Sequence, residues 1–195
     1  MHGLASGAKK AAGWMALGLL LTGGSTQPVS AADSEASRWG LGMSVTPLYR
    51  WHSGWERGTA TRLTVSYRLE RTLLQREGWR SETTWELSGG YHRTLHGRGP
   101  NEYDLAATLV VAGSRAGSPW YLEAGTGPAL FTSATVYGKP IGGRLHMGTL
   151  FGIGYRLGQD GRTQIGYRYH HFSNAGVRRP NPGLNAGGLR IHHRF

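Results

Sequence analysis

Near the C-terminus a histidine and a serine stand two residues apart, in the run Tyr167-Arg168-Tyr169-His170-His171-Phe172-Ser173-Asn174, and one more strand-length segment follows before Phe195. Successive side chains of a β-strand alternate faces, so Ile165, Tyr167, Tyr169, His171 and Ser173 share one face while Gln164, Gly166, Arg168 and His170 share the other. A base and a hydroxyl nucleophile therefore sit together on an apolar face. Positions i and i+2 carry side chains roughly 6 to 7 Å apart, and suitable rotamers and twist bring a histidine and a serine to hydrogen-bonding distance. Ester hydrolysis by serine needs such a base, a group that orients it, and donors for the developing oxyanion. His-x-Ser is also a common string, and from spacing alone a polar interfacial rim is the simpler account. The apolar setting is odd for a soluble enzyme and sensible for one whose substrate is a lipid.

The elements that position these residues are strands. Apolar residues recur at every second position: Leu41/Met43/Val45/Tyr49/Trp51, Leu63/Val65/Tyr67/Leu69, Trp85/Leu87/Tyr91 and Leu105/Ala107/Leu109/Val111. The pattern continues through Trp120/Leu122/Ala124, Leu145/Met147/Phe151/Ile153/Tyr155, Ile165/Tyr167/Tyr169 and Leu189/Ile191/Phe195, which predicts eight strands. The opposite parity holds Ser44, Thr46, Arg50, Thr64, Ser66, Arg68, Glu70, Glu86, Ser88, His92, Glu123, His146, Arg156, Gln164, Arg168 and His170. Polar inside and apolar outside, with an even strand count, predicts an all-β fold: an eight-stranded antiparallel transmembrane β-barrel of the outer membrane, its interior filled by side chains. The soluble alternative is a lipocalin-like barrel with the apolar face inward. Aromatic residues near strand ends, and a chain that stops on an aromatic strand residue, favour the membrane reading.

The N-terminus agrees with that destination. Lys9 and Lys10, the apolar run from Ala11 to Leu21 and the small residues ending Val29-Ser30-Ala31-Ala32 have the layout of a secretory signal peptide. The run is too short to span a bilayer, so residues 1–31 are expected to be cleaved and residues 32–195 to form one barrel domain. The whole chain has 22 Lys and Arg against 11 Asp and Glu, a net charge of +11; the leader holds two lysines and no acid, so the mature charge is +9. With no cysteine, neither disulfides nor thiolate metal sites are available. His192 and His193 are adjacent and face opposite sides, Glu102 and Asp104 offer too few oxygens for calcium, and neither a metal nor a cofactor is expected. In an exported barrel the basic charge points to lipid phosphates rather than nucleic acid.

Connection lengths set an orientation. With both ends periplasmic, the turns around Gln75–Gly78, Ala116–Pro119 and Gly158–Gly161 are short, while those around His52–Thr59, His96–Tyr103, Thr132–Gly143 and Ala175–Leu184 are long, as on the outer side. His171 and Ser173 then face lipid at the outer end of the seventh strand. Arg57, Arg98, Lys139, Arg178 and Arg179 lie on the long connections, where they suit phosphate groups, although individually they read as solvated loop charge.

The string His171-Phe172-Ser173-Asn174-Ala175, followed by Asn181-Pro182-Gly183 and a last strand ending in Phe195, resembles the lipid A 3-O-deacylase family, the PagL-like outer-membrane deacylases. Weaker echoes are Tyr121-Leu122-Glu123-Ala124-Gly125 and Gly152-Ile153-Gly154-Tyr155-Arg156. The resemblance implies a carboxylic ester hydrolase acting on lipid A of lipopolysaccharide, with Ser173 as nucleophile, His171 as general base and Asn174 in the oxyanion hole. The family's acidic third member falls on Asn185, and no acidic residue follows Asp160. Asn185 shares the parity of Leu189, Ile191 and Phe195, hence the face of His171 and Ser173. Its carbonyl can accept from imidazole and orient it, but supplies no charge for imidazolium. Glu123 points inward by parity, toward Arg156 or Arg168.

Two rivals stand beside an outer-leaflet serine esterase. A non-enzymatic small outer-membrane barrel would carry a decayed site. An acyltransferase with an interior acyl pocket is disfavoured by the outward parity of His171 and Ser173. Expected partners are lipopolysaccharide and outer-membrane lipids; a homodimer stays open. If the outward parity is lipid-facing, the mature chain folds into a barrel only in detergent or bilayer, because in water it would expose a wide hydrophobic belt. Circular dichroism with gel filtration checks this, and a folded, monodisperse, detergent-free protein would contradict it.

Overall fold

A computed structural model describes residues 38–51, 54–56, 58–74, 76–94 and 101–195. The expected signal peptide, Arg57 and Arg98 lie outside the described residues. Eight long strands make the barrel: β1 (Trp39–Trp51), β2 (Gly58–Arg68), β3 (Trp79–Thr94), β4 (Glu102–Arg115), β5 (Trp120–Phe131), β6 (Leu145–Leu157), β7 (Thr163–Ser173) and β8 (Leu184–Arg194). Each pairs antiparallel with its sequence neighbour, and β1 pairs with β8 from Gly40↔Arg194 to Arg50↔Asn185, so the eight long strands close on themselves. Closure matters because hydrocarbon offers backbone N–H and C=O groups no other partner.

The two-residue repeat sorts the side chains as their chemistry requires. Leu63, Leu122 and Leu189 point outward with 63 %, 63 % and 70 % exposure, in a belt with Met43, Trp85, Leu105, Phe151, Ile153 and Ile191. Thr64, Ser66, Glu86, His92, Glu123, Arg156, Gln164 and Arg168 are buried inside. His192 is buried and bonds Ser66 Oγ through Nε2 at 2.7 Å, while His193 lies outside against Thr163 Oγ1 at 2.9 Å.

At mid-height the interior is organised by Arg168. Its guanidinium donates to Glu86 at 2.6 and 2.8 Å and to Glu123 at 2.6 and 2.9 Å, so β3, across the barrel, and β5, two strands away, are tied to β7. Arg190 adds a 3.0 Å bond to Glu86. Of the two partners open to Glu123, Arg168 is the one engaged; Arg156 donates to Ser114 Oγ at 3.0 Å. Nearer the long connections, Asp104 accepts from Arg62 at 2.8 Å and contacts His92 Nε2, so Asp104 and Glu102 are both held within the barrel.

That end is closed by an apolar cap. Phe131, Val136, Tyr137, Ile141, Phe172 and Leu184 are buried against one another. The connection 132–144 supplies part of the cap through a small ribbon, Thr135–Val136 paired with Lys139–Pro140, turned by Tyr137 (φ 53°) and Gly138 (φ 75°). The left-handed conformation suits Gly138 and strains Tyr137. Tyr137 is retained there by its N–H on Glu102 at 2.9 Å and its hydroxyl on Thr59 O at 3.2 Å.

Two expectations are corrected. The first turn-end connection is not short: β2 ends at Arg68, before Leu69 and Glu70, β3 starts at Trp79, and residues 69–74 fold back onto β3 through Leu69 N to Thr83 O at 2.8 Å and Leu73 N to Thr83 Oγ1 at 3.0 Å. The backbone bond at Leu69 continues the register of Arg68 with Thr84, and side-chain bonds take over from Thr72 onward. In β1 a register shift between Val45 and Leu48 moves the pairing by one residue, so strict alternation cannot be carried from Val45 to Tyr49, Arg50 and Trp51.

Arg168 neutralises two buried carboxylates at once, so Arg168→Met takes from Glu123 its bonds to the guanidinium and leaves Glu86 with Arg190. Loss of one partner of a buried ion pair costs about 3–5 kcal/mol. Urea unfolding of the barrel in detergent micelles should show a loss of that size, and an unchanged midpoint would contradict the arrangement.

Candidate active site

The antiparallel register of β7 and β8 places His171 directly opposite Asn185. Side chains at such positions share a face and have Cβ atoms about 4.5–5.5 Å apart. His171 Nδ1 lies 2.7 Å from Asn185 Oδ1. A carbonyl oxygen only accepts, so this bond requires the proton on Nδ1 and leaves the Nε2 lone pair free to act as a base. Ser173, two residues on, is on the same outward face, and both it and His171 are half-buried. Ser173 pairs with Met147 and His171 with Thr149 on β6, so the site is bordered by the outward face of β6.

Asn174 begins the connection 174–183 and is buried at its junction with the connection 132–144. Its Nδ2 donates to Arg178 O at 2.9 Å and to Gly142 O at 3.2 Å, its Oδ1 accepts from Gly176 N at 3.0 Å, and its N–H donates to Asn181 Oδ1 at 3.1 Å. Asn174 thus clasps two connections. Gly142 approaches closely from the other side: a Cβ there would collide with Pro180 O and Asn174 Nδ2, and its φ of +80° favours glycine.

Gly183 closes the site from the start of β8. Its φ is +67°, and a Cβ would lie 2.9 Å from His171 Cε1, inside van der Waals contact. Any side chain at 183 therefore displaces the imidazole or the backbone. Tyr169, on the same face as His171, donates its hydroxyl to Asn185 Oδ1 at 2.7 Å.

The structure brings together the sequence-expected His171, Ser173, Asn174 and Asn185 at one rim of the barrel. Reading by residue type passed over Tyr169, Gly183 and Gly142. Parity with His171 was the available signal for Tyr169, and the string Asn181-Pro182-Gly183 was that for Gly183; nothing local marks Gly142, whose contacts depend on loop conformation.

A family model described as Lipid A 3-O-deacylase (PagL) matches residues 57–194. Lipid A deacylase PagL of Bordetella bronchiseptica is 34% identical over 137 residues, covering 69% of this chain and 76% of that protein. Lipid A deacylase PagL of Pseudomonas aeruginosa is 28% identical over 132 residues, covering 64% of this chain and 75% of that protein. The crystal structure of the outer membrane enzyme PagL superposes with a TM-score of 0.66 at 22% identity, over 80% of this chain and 99% of that one. Neisserial surface protein A superposes at 0.57 with 12% identity, over 80% and 96%. At such identities the superpositions establish the fold, an eight-stranded outer-membrane-type barrel.

If Asn174 clasps the connections, Asn174→Ala frees residues 175–182 without unfolding the barrel. Trypsin should then cut after Arg178 faster than in the parent, both folded in the same micelles. Equal cleavage rates would contradict the clasp.

Proposed function

The chain belongs to the lipid A 3-O-deacylase family, and from that premise we propose that it removes the 3-O-linked acyl chain of lipid A by serine ester hydrolysis at the outer leaflet. One observation carries the reading: His171 is hydrogen-bonded through Nδ1 to Asn185 Oδ1 at 2.7 Å, with Ser173 on the same face two residues away. These residues supply, on one outward face, the types of group that a base, its orienting partner and a nucleophile require.

In the proposed reaction His171 Nε2 takes the proton of Ser173 Oγ as Oγ attacks the ester carbonyl carbon. The tetrahedral intermediate collapses, the C–O bond to the sugar breaks, and the sugar oxygen leaves with the proton from His171. Water, deprotonated by the same nitrogen, then hydrolyses the acyl-serine and releases the fatty acid. Asn185 stands where the family carries a carboxylate. Replacing carboxylate by amide in a protease triad costs about 10⁴ in rate, largely by selecting the wrong tautomer. Here Oδ1 rather than Nδ2 meets the ring, so the correct tautomer is kept and only the charge is missing.

Asn174 is the proposed oxyanion donor. Both Nδ2 protons are engaged, and the 3.2 Å bond to Gly142 O is the longer of the two. An oxyanion is a stronger acceptor than a neutral carbonyl, so a docked ester draws one proton from that bond. The loop end faces outward in this proposal, as long connections do in outer-membrane barrels, and exposed Arg178 and Arg179 meet the lipid A phosphates.

Release of fatty acid from purified lipid A, followed by mass spectrometry, tests the assignment. Ser173→Ala and His171→Ala are expected to lose several orders of magnitude in rate while the barrel stays folded. Asn174→Ala should lose about 10² to 10³. Asn185→Ala should lose clearly less than Ser173→Ala. Activity retained in Ser173→Ala would eliminate the nucleophile, and a parent with no activity would favour a barrel whose site has decayed.

A further inference from the structure

Asn185 Oδ1 accepts two hydrogen bonds, from His171 Nδ1 and from the Tyr169 hydroxyl, each at 2.7 Å. We propose that Tyr169 is a positioning residue that fixes which end of the Asn185 amide faces His171, and thereby the tautomer of the base; this rests on the serine-esterase reading above.

The need for such a residue follows from the replaced carboxylate. A carboxylate presents the same atom type whichever way it turns, whereas the two ends of an amide have nearly the same shape and opposite hydrogen-bonding character. With Oδ1 toward the ring, Nδ1 carries the proton and Nε2 is a base. With Nδ2 toward the ring, Nδ1 must accept, the proton moves to Nε2, and Ser173 has no acceptor for its own proton. An amide at this position therefore works only if something selects its orientation.

Tyr169 is placed to select it. Its phenol holds one proton, which Oδ1 accepts. Against Nδ2 that proton would face a donor and would have to turn toward the lipid boundary without an acceptor. The geometry that brings the phenol there is built into the ladder. Tyr169 is opposite Gly187, so Asn185 is its diagonal neighbour, within reach of a long aromatic side chain. The hydroxyl of Tyr167 occupies the space over Gly187, where even a Cβ would collide with it. Both tyrosines thus lean one row toward the loop end, Tyr167 over Gly187 and Tyr169 onto Asn185.

Histidine ring ¹⁵N resonances of protein folded in detergent micelles report the tautomer directly, with His171 assigned from its loss in His171→Gln. The parent should hold His171 as the Nδ1–H tautomer. Tyr169→Phe should shift the tautomer ratio by about threefold to tenfold, the effect of one ordinary hydrogen bond. In an Asn185→Asp background, where either oxygen accepts, Tyr169→Phe should leave the tautomer unchanged. Hydrolysis of lipid A should follow, with kcat in Tyr169→Phe reduced in proportion to the Nδ1–H fraction lost, KM unchanged, and no loss in the Asn185→Asp background. An unaltered tautomer ratio in Tyr169→Phe, or the same loss in both backgrounds, would overturn the proposal. The resonances need no turnover, so they separate its failure from failure of the serine mechanism, which Ser173→Ala reports.

Discussion

A chain that crosses hydrocarbon as strands must pair every backbone N–H and C=O with another strand, and the β1–β8 ladder satisfies that requirement by closing the sheet. Much of the remaining architecture follows from closure. A closed sheet of eight strands has an interior too narrow for a water channel, so it is filled by side chains. The two-residue repeat sends every other residue there, and the outer face must be apolar, which leaves the polar and charged residues inside. They are tolerable only if they neutralise one another. Arg168 between Glu86 and Glu123, and Asp104 between Arg62 and His92, meet that condition with bonds from several strands at once.

The same repeat fixes where chemistry can occur. His171 and Ser173 share the outward face because they are two residues apart, so in the proposed reaction the substrate comes from the membrane side. An entry from within is blocked by Phe131, Val136, Ile141, Phe172 and Leu184, whose apolar cap fills the barrel just behind β7. Phe172 lies between His171 and Ser173 in sequence and points the other way, so one strand segment contributes to the cap with one face and to the candidate site with the other. Packing of the cap and placement of the site are therefore coupled through the backbone of β7, and through the connection 132–144, which supplies Ile141 to the cap and the Gly142 carbonyl to Asn174.

The strands were legible because alternation is imposed residue by residue. The outward parity of Leu63, Leu122 and Ile191, the inward parity of Glu123 and Arg168, and the shared face of His171, Ser173 and Asn185 all follow from counting in twos. What counting could not give was the exception to it. The register shift between Val45 and Leu48 changes parity, and its one local mark is Pro47, whose missing N–H suits a bulge; the fold-back of residues 69–74 depends on Thr72 and Thr83 side-chain bonds. The surroundings of the site were least legible. Asn174 meets Gly142 across a sequence distance that no local pattern spans, and Gly183 meets His171 only because of a left-handed φ at the start of β8. The direct pairing of His171 with Asn185 depends on the register between β7 and β8, which the conformation of residues 174–183 determines.

The amide at Asn185 has a physical rationale in that location. A carboxylate on the outward face of a barrel, at the edge of hydrocarbon, loses hydration and repays it only when the imidazole becomes charged. Beside a neutral ring the carboxylate would stand there as an uncompensated anion. An amide carbonyl avoids that cost at rest and gives up the Coulombic stabilisation of imidazolium during reaction. The exchange is between resting stability and transition-state stabilisation, two states that a protein can weight differently. What the amide cannot give up is orientation, since one of its two ends disables the base. In the proposed site the Tyr169 hydroxyl acts on that variable through its bond to Asn185 Oδ1. A neutral third member therefore demands more of its neighbours than a charged one does, and on the face of β7 and β8 those neighbours are present.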